Sequence, residues 1–339
     1  MIVRFGFVAM SLLVENASSS RTMTYKNFSK LEDREAALRK LERIAEENLH
    51  SALRIMRNNR YAGIHVYRFS SKIIPLATHD ALADWDPYSA LAPSFAEVGA
   101  YARETGMRVS FHPDHFCVFS TPRPEVLRSS VRDMEYHVRM LEEMGLDEKY
   151  KCNIHVGGAY GDKPVSAERF IAQFGAQDAR LRGRVTLEND DKTFNVRETL
   201  DIAEKVGNPV VLDIHHHAVN DGGETKEALY GELWPRIVAT WNREQRRLGL
   251  DGGASGLPPK IHVSSPKSLS DPRGHADFVE PGPLLEFLRG VNGSVELLDC
   301  MMESKAKDQA LVTLMEHFRG LEAAGEGIRV LDGGTIEVM

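Results

Sequence analysis

From Pro209 to Asn220 the chain reads PVVLDIHHHAVN, an apolar run that opens into Asp213 and three consecutive histidines, His215, His216 and His217. Short apolar, β-branched runs belong to parallel strands covered on both faces. A carboxylate crowded with imidazoles at the end of such a strand competes for protons unless a cation holds the group, and oxygen with imidazole nitrogen suits a divalent transition metal. A hydrogen-bonded histidine cluster or a solvated loop would show the same letters. What decides is whether other strands end alike.

The other apolar runs do end this way: His112 follows the third expected strand, His155 closes the fourth, Glu188 follows the fifth, Lys260 and His262 lie in the seventh, and Glu303 follows the eighth. Singly, each has a bland explanation, His155 as a core histidine with a hydrogen bond and Glu188 as a helix cap. Six successive strand ends carrying such residues together are hard to attribute to packing, and a ring of imidazoles and carboxylates drawn from different strands is a multi-metal constellation. Lys260 and His262 are two apart, so alternation puts both on one face. In the sixth strand the same rule pairs Asp213 with His215. If that strand ends near Ile214 the alternation is lost and His216 reaches the site instead, and periodicity leaves both open.

The elements that must position these residues alternate regularly. Strands are expected at Ile2 to Ala9, Gly63 to Phe69, Met107 to Phe111, Lys151 to Val156, Arg184 to Leu187, from Pro209, at Lys260 to Val263 and at Ser294 to Asp299. Helices are expected between them at Leu31 to Asn58, Ser94 to Thr105, Glu125 to Met144, Ser166 to Leu181, Val196 to Val206, Lys226 to Leu248 and Pro283 to Arg289, with a closing helix at Lys305 to Phe318. Gly106 and Gly145 stop two of them. The loop DGGASGLPP, Asp251 to Pro259, admits no regular structure. Eight strands alternating with eight helices predict an α/β fold, a single (β/α)8 TIM barrel with its metal site at the carboxyl-terminal face of the strands. An open doubly wound sheet lacks support, since no Gly-x-Gly-x-x-Gly turn follows the first strand. Residues 1–322 are expected to form the barrel and 323–339 a peripheral appendage.

Composition fits an ordinary globular protein, 42% hydrophobic and 27% charged, with no apolar stretch that suits a membrane span. Cys117, Cys152 and Cys300 form no CxxC pair, which suggests a reducing cytoplasm. The net charge of -7 counts against a nucleic-acid partner. Acidic metal ligands inflate that figure, however, and roughly three divalent ions would add about six positive charges at the site itself.

Several strings, in order and spacing, resemble the UV damage endonucleases, metal-dependent barrel enzymes that nick DNA beside ultraviolet photolesions. They are RFGFVAMS from Arg4, YRFSSKIIP from Tyr67, FHPDHF from Phe111, NIHVGG from Asn153, LENDD from Leu187, DIHHH from Asp213, KIHVSS from Lys260, GHADF from Gly274 and MMESKAKDQAL from Met301. The resemblance covers most of the chain. It implies metal ligands at His112, His155, Glu188, Asp213, His216, His262 and Glu303, choosing His216 over His215. It implies a carboxylated Lys260 near the metals, and His275 on the scissile phosphate. The implied cofactors are up to three divalent ions, manganese, activating hydroxide for in-line attack. The implied substrate is damaged double-stranded DNA, cut 5′ to cyclobutane dimers, 6-4 photoproducts and abasic sites. A monomer is expected, in the cytoplasm and at the nucleoid where that substrate lies. Some members carry glutamine and tyrosine after the His-Pro pair as a wedge into the duplex, where this chain has His115 and Phe116. An apolar ring can still unstack damaged bases; the competing reading buries Phe116 under the third loop. Arg68, Tyr160 and Lys267 are further candidate contacts to phosphate or base on loops at the same face. An apurinic-site endonuclease of the three-metal barrel type shares the ligand logic. A sugar isomerase or epimerase barrel suits the acidity better but has no use for seven ligands.

Overall fold

The computed structural model describes residues 1–250 and 256–339, so part of the expected Asp251 to Pro259 loop lies outside the described residues. Among the described residues twelve strands follow in chain order: β1 (Ile2–Val8), β2 (Val66–Arg68), β3 (Arg108–Ser110), β4 (Cys152–His155), β5 (Val185–Glu188), β6 (Val210–Asp213), β7 (Lys260–Val263), β8 (Pro266–Ser268), β9 (Asp271–His275), β10 (Leu297–Met302), β11 (Ile328–Val330) and β12 (Thr335–Val338). Parallel pairing runs from β3 through β2, β1, β10, β7, β6 and β5 to β4, and a parallel bridge between Phe111 and Cys152 brings the last strand back to the first. The eight parallel strands thus make the barrel, and helices on the outside cover their apolar faces.

Local chemistry explains the outer ring. The helix Arg34–Ala62 starts at Asp33, whose side chain accepts from the Ala36 amide, and stops at Gly63 in the left-handed conformation. The helix Val196–Val206 opens with a capping box between Asn195 and Glu198. Inside, β1 and β2 approach so closely that a Cβ on Gly6 would sit 2.1 Å from the Val66 carbonyl oxygen. That contact explains the glycine between Phe5 and Phe7.

Several boundaries depart from the pattern. The expected helix from Ser166 to Leu181 is two, Lys163–Gly175 and Ala179–Arg182, and the segment from Lys226 passes through a π-helical turn before Trp234–Arg247. The eighth barrel strand lies three residues later than expected, at Leu297–Met302. Strands β8 and β9 form a separate antiparallel hairpin after β7. At the carboxyl terminus β12 pairs antiparallel with the first half of β1, on the edge that β2 occupies further along. Among the described residues no helix is long and apolar enough to cross a membrane.

Candidate metal centre

Strand register levels the polar ends: His155 lies opposite Glu188, and Asp213 opposite His262. Fully buried Glu188 becomes the common neighbour. Its Oε2 is 3.2 Å from His112 Nε2 and accepts from Asn153 Nδ2. Its Oε1 is 3.2 Å from His262 Nδ1 and 3.5 Å from His216 Nδ1. Three groups able to hold a metal ion share it: His112 with His155, His262 with Glu303, and Asp213 with His216, their ligand atoms within 4.8 Å of one another.

Three histidines are oriented alike. His112 Nδ1 is 2.9 Å from the Pro113 carbonyl, His216 Nδ1 3.0 Å from that of Asn189, and His275 Nδ1 2.9 Å from that of Glu303. A carbonyl only accepts, so each Nδ1 carries a proton and leaves Nε2 for the mouth, as metal-binding histidines are oriented. Strand β6 ends at Asp213, whose side chain accepts from the His216 amide at 2.8 Å and caps the short helix Ile214–Val219. The turn therefore brings His216 to Glu188.

The donor set fits cations. His155 Nδ1, Asp213 Oδ2, Glu188 Oε1 and both ring nitrogens of His262 are buried without a hydrogen-bond partner among the described residues. The His262 contacts to Glu188 and Glu303, 3.2 and 3.1 Å, have ion-pair reach but not hydrogen-bond geometry. Unpartnered buried polar groups cost about 1–3 kcal/mol each. Several converging on one cavity are what a set of metal ligands presents.

Burial opposes charge on Glu188, but His262 and His155 outweigh it and hold the carboxyl well below its usual range. Burial also lowers His216 and His262, yet the surrounding carboxylates win and push both up to about 9. His155, where burial dominates, is shifted down. Lys260 is pushed down to about 7 by burial and by Arg108, and its Nζ donates to Ser110 Oγ at 3.0 Å. It points inward with His262, as strand alternation requires. Beneath it fully buried Asp299 accepts from Arg4 and Arg108.

Around this centre a groove of about 650 Å³ is lined by His115, His155, Lys192, His216, Arg273 and His275. Phe116 is 72% exposed beside it, so the reading that buried this ring is wrong. The His115 ring lies against Phe116, tilted by 40° with 4.0 Å between centroids, and Nδ1 meets Asp114 at 2.6 Å. Tyr160 is exposed on the loop after β4, whereas Lys267 is paired with Asp271. Arg68 belongs to β2 rather than a loop and is engaged by Glu303. Sequence reasoning missed Asn153, although it is two residues before His155 and so shares its face; it also missed the partnership of Arg4, Arg108 and Asp299, whose only signal was charge inside apolar strands.

Fold and mouth together define a (β/α)8 barrel with a cation-competent centre at the carboxyl-terminal face. Residues 3–333 match the model of the family described as UV-endonuclease UvdE, and the chain belongs to that family. The UV DNA damage endonuclease of Halalkalibacterium halodurans is 40% identical over 317 residues, covering 93% of this chain and 94% of that one. The crystal structure of SacUVDE superposes with a TM-score of 0.79 at 27% identity, covering 94% of this chain and 99% of that one. Endonuclease IV from Thermus thermophilus shares the fold, with a TM-score of 0.52 at 13% identity over 95% of this chain and 99% of that one.

Proposed function

We propose that the chain hydrolyses the DNA phosphodiester immediately 5′ to ultraviolet photolesions, leaving a 3′ hydroxyl, with divalent cations held around Glu188. The observation that carries this reading is the convergence on Glu188 of three ligand groups in a member of a UV-endonuclease family. His112 and His155, His262 and Glu303, and Asp213 and His216 would each share Glu188 in holding up to three divalent ions, manganese being the ion that the family resemblance implies. A carboxylated Lys260 would add an oxygen donor from below. Bound cations supply Lewis acidity that lowers the pKa of water toward about 7 and offsets charge on the phosphate.

The protein's own groups orient and select. Asn153 donates to Glu188 and is itself fixed by Thr186 Oγ1 at 2.7 Å, so the shared carboxylate cannot rotate freely. Arg68 does the same for Glu303. His275 holds its Nδ1 proton on the Glu303 carbonyl, which turns the Nε2 edge of the ring toward the scissile phosphate. Phe116, with His115 against it, inserts beside the lesion, where distorted bases cost less to open than sound ones. Tyr160 adds a surface for stacking. The protein acts as a monomer on damaged duplex DNA.

The test is incision of an end-labelled duplex carrying one cyclobutane dimer, beside 6-4, abasic and undamaged duplexes, with manganese, with chelator, and with a Glu188→Gln variant. One cation-dependent nick 5′ to the dimer, lost in the variant, is expected. Cutting of abasic DNA alone would transfer the reading to an apurinic-site endonuclease. No cutting by folded, metal-loaded protein would end it.

A further inference from the structure

His215 is a buried histidine of the mouth with no lone pair to spare. It is 2% exposed in the turn after β6; its Nε2 is 2.7 Å from the Pro272 carbonyl and its Nδ1 2.6 Å from Ser264 Oγ. The carbonyl only accepts, so Nε2–H donates to Pro272 and Nδ1 accepts from the Ser264 hydroxyl. A neutral imidazole then has both nitrogens engaged by protein. This separates it from the candidate ligand His216 beside it.

What His215 ties down is the β8–β9 hairpin. This hairpin is a sheet of its own, pairing only Pro266 with His275 and Ser268 with Asp271, and its residues are exposed or half-buried. Elements with little apolar burial open locally at low cost, so their placement depends on polar ties. Among those ties are Arg273 Nε to the Asp191 carbonyl at 3.2 Å, His275 Nδ1 to the Glu303 carbonyl, the Ala276 amide to the Ser265 carbonyl at 2.9 Å and the Lys305 amide to the Ala276 carbonyl at 3.0 Å; within the hairpin itself, His215 holds Pro272. The His215 ring also meets that of His275 edge to face, 5.5 Å between centroids at 67°.

We infer that His215 is a positioning residue: by bonding Pro272 and packing on His275 it sets the hairpin at the distance from which His275 meets the scissile phosphate. This rests on the phosphate role proposed above for His275. Misplacement of such a group by about 1 Å can cost on the order of 100-fold in rate.

The test uses the full chain with His215→Leu, which keeps bulk and drops both bonds, His215→Gln, which keeps an N–H donor near Nε2, and His275→Ala alone and combined with His215→Leu. Nicking of a dimer duplex at saturating manganese, metal content, and amide exchange of residues 273–276 without DNA or metal are measured. His215→Leu is expected to keep its metal and KM, to lose roughly 10- to 100-fold in kcat, and to exchange faster across the hairpin. His215→Gln should recover most of the loss, and His215→Leu should add nothing to His275→Ala. Metal lost from His215→Leu or His215→Gln, unchanged hairpin exchange, or full additivity with His275→Ala would each overturn the inference. If His215→Leu does not fold, His215→Gln against His215→Asn, which cannot reach Pro272, carries the same comparison. Full activity in His275→Ala would instead overturn the phosphate role, while the exchange data still report on the tie.

Discussion

His112 presents its Nε2 lone pair to Oε2 of Glu188 across 3.2 Å, because its Nδ1 proton is committed to the Pro113 carbonyl. Two acceptors at that distance repel unless a proton or a cation lies between them. The same carboxylate belongs to all three candidate ligand groups. Replacing it by Glu188→Gln is therefore expected to lower the manganese bound per chain at every group rather than at one. Lewis-acid catalysis contributes several kcal/mol, so nicking should fall about 1,000-fold or more. Metal content and incision measured on the same preparation check this, and a full metal complement in the variant would count against a shared ligand.

In cation-free protein the crowding is relieved by protonation, with His216 and His262 pushed up to about 9 by their carboxylate neighbours. A histidine whose folded pKa is raised adds stability that is complete below its unfolded value, about 6.5, and is lost as pH rises through the folded value. Chelated protein should therefore lose Tm between about pH 7 and 9. Cations displace the same protons, so the Tm gain on adding manganese should grow over that range, with proton release detectable by calorimetry in two buffers. A flat Tm profile for the chelated protein would contradict the assignment.

Much of this was legible because buried parallel strands announce themselves as apolar runs and end on polar residues. The helix Val196–Val206 and strand β7 have the bounds expected from sequence, since caps and β-branched runs are local signals. The eighth strand slid because Asp299 reads as a strand end, while in the barrel it is an interior residue neutralised by Arg4 and Arg108 from strands far away in sequence. The choice between His215 and His216 turned on Asp213 capping the next helix, which periodicity does not encode. The β8–β9 hairpin left no alternation to find, because PKSLSDPRGH is held by polar ties rather than by an apolar face.

Phe116 offers a test that separates recognition from folding. Because the ring is 72% exposed, Phe116→Ala should change stability by no more than about 0.5 kcal/mol. Loss of a base-stacking ring costs about 1–3 kcal/mol, so the apparent Kd for a dimer duplex should weaken roughly 5- to 150-fold while affinity for undamaged duplex changes little. Binding titrations on the two duplexes decide the matter. Equal weakening on both would make Phe116 a general contact and leave lesion selection to other residues.

The floor of the barrel makes the opposite prediction. Asp299 is fully buried, accepts two bonds from Arg4 and one from Arg108, and is held below the usual carboxylate range because those two guanidinium groups outweigh its burial. Arg108 is itself buried, with its pKa lowered by burial, and leans on the Trp241 ring at 5.0 Å. Asp299→Asn keeps the shape but leaves buried Arg108 without a counter-charge and Arg4 with Asp332 alone, and breaking a buried ion network in this way costs about 3–5 kcal/mol. Denaturant unfolding of metal-free protein should show that loss as a lower midpoint at unchanged slope. Asp299 also opposes the downward pull of Arg108 on Lys260, so the variant should shift Lys260 further down and leave more of it uncharged at neutral pH. A loss below about 1 kcal/mol would mean that water reaches the floor and screens the arginines, and the pull of Arg108 on Lys260 would then weaken with it.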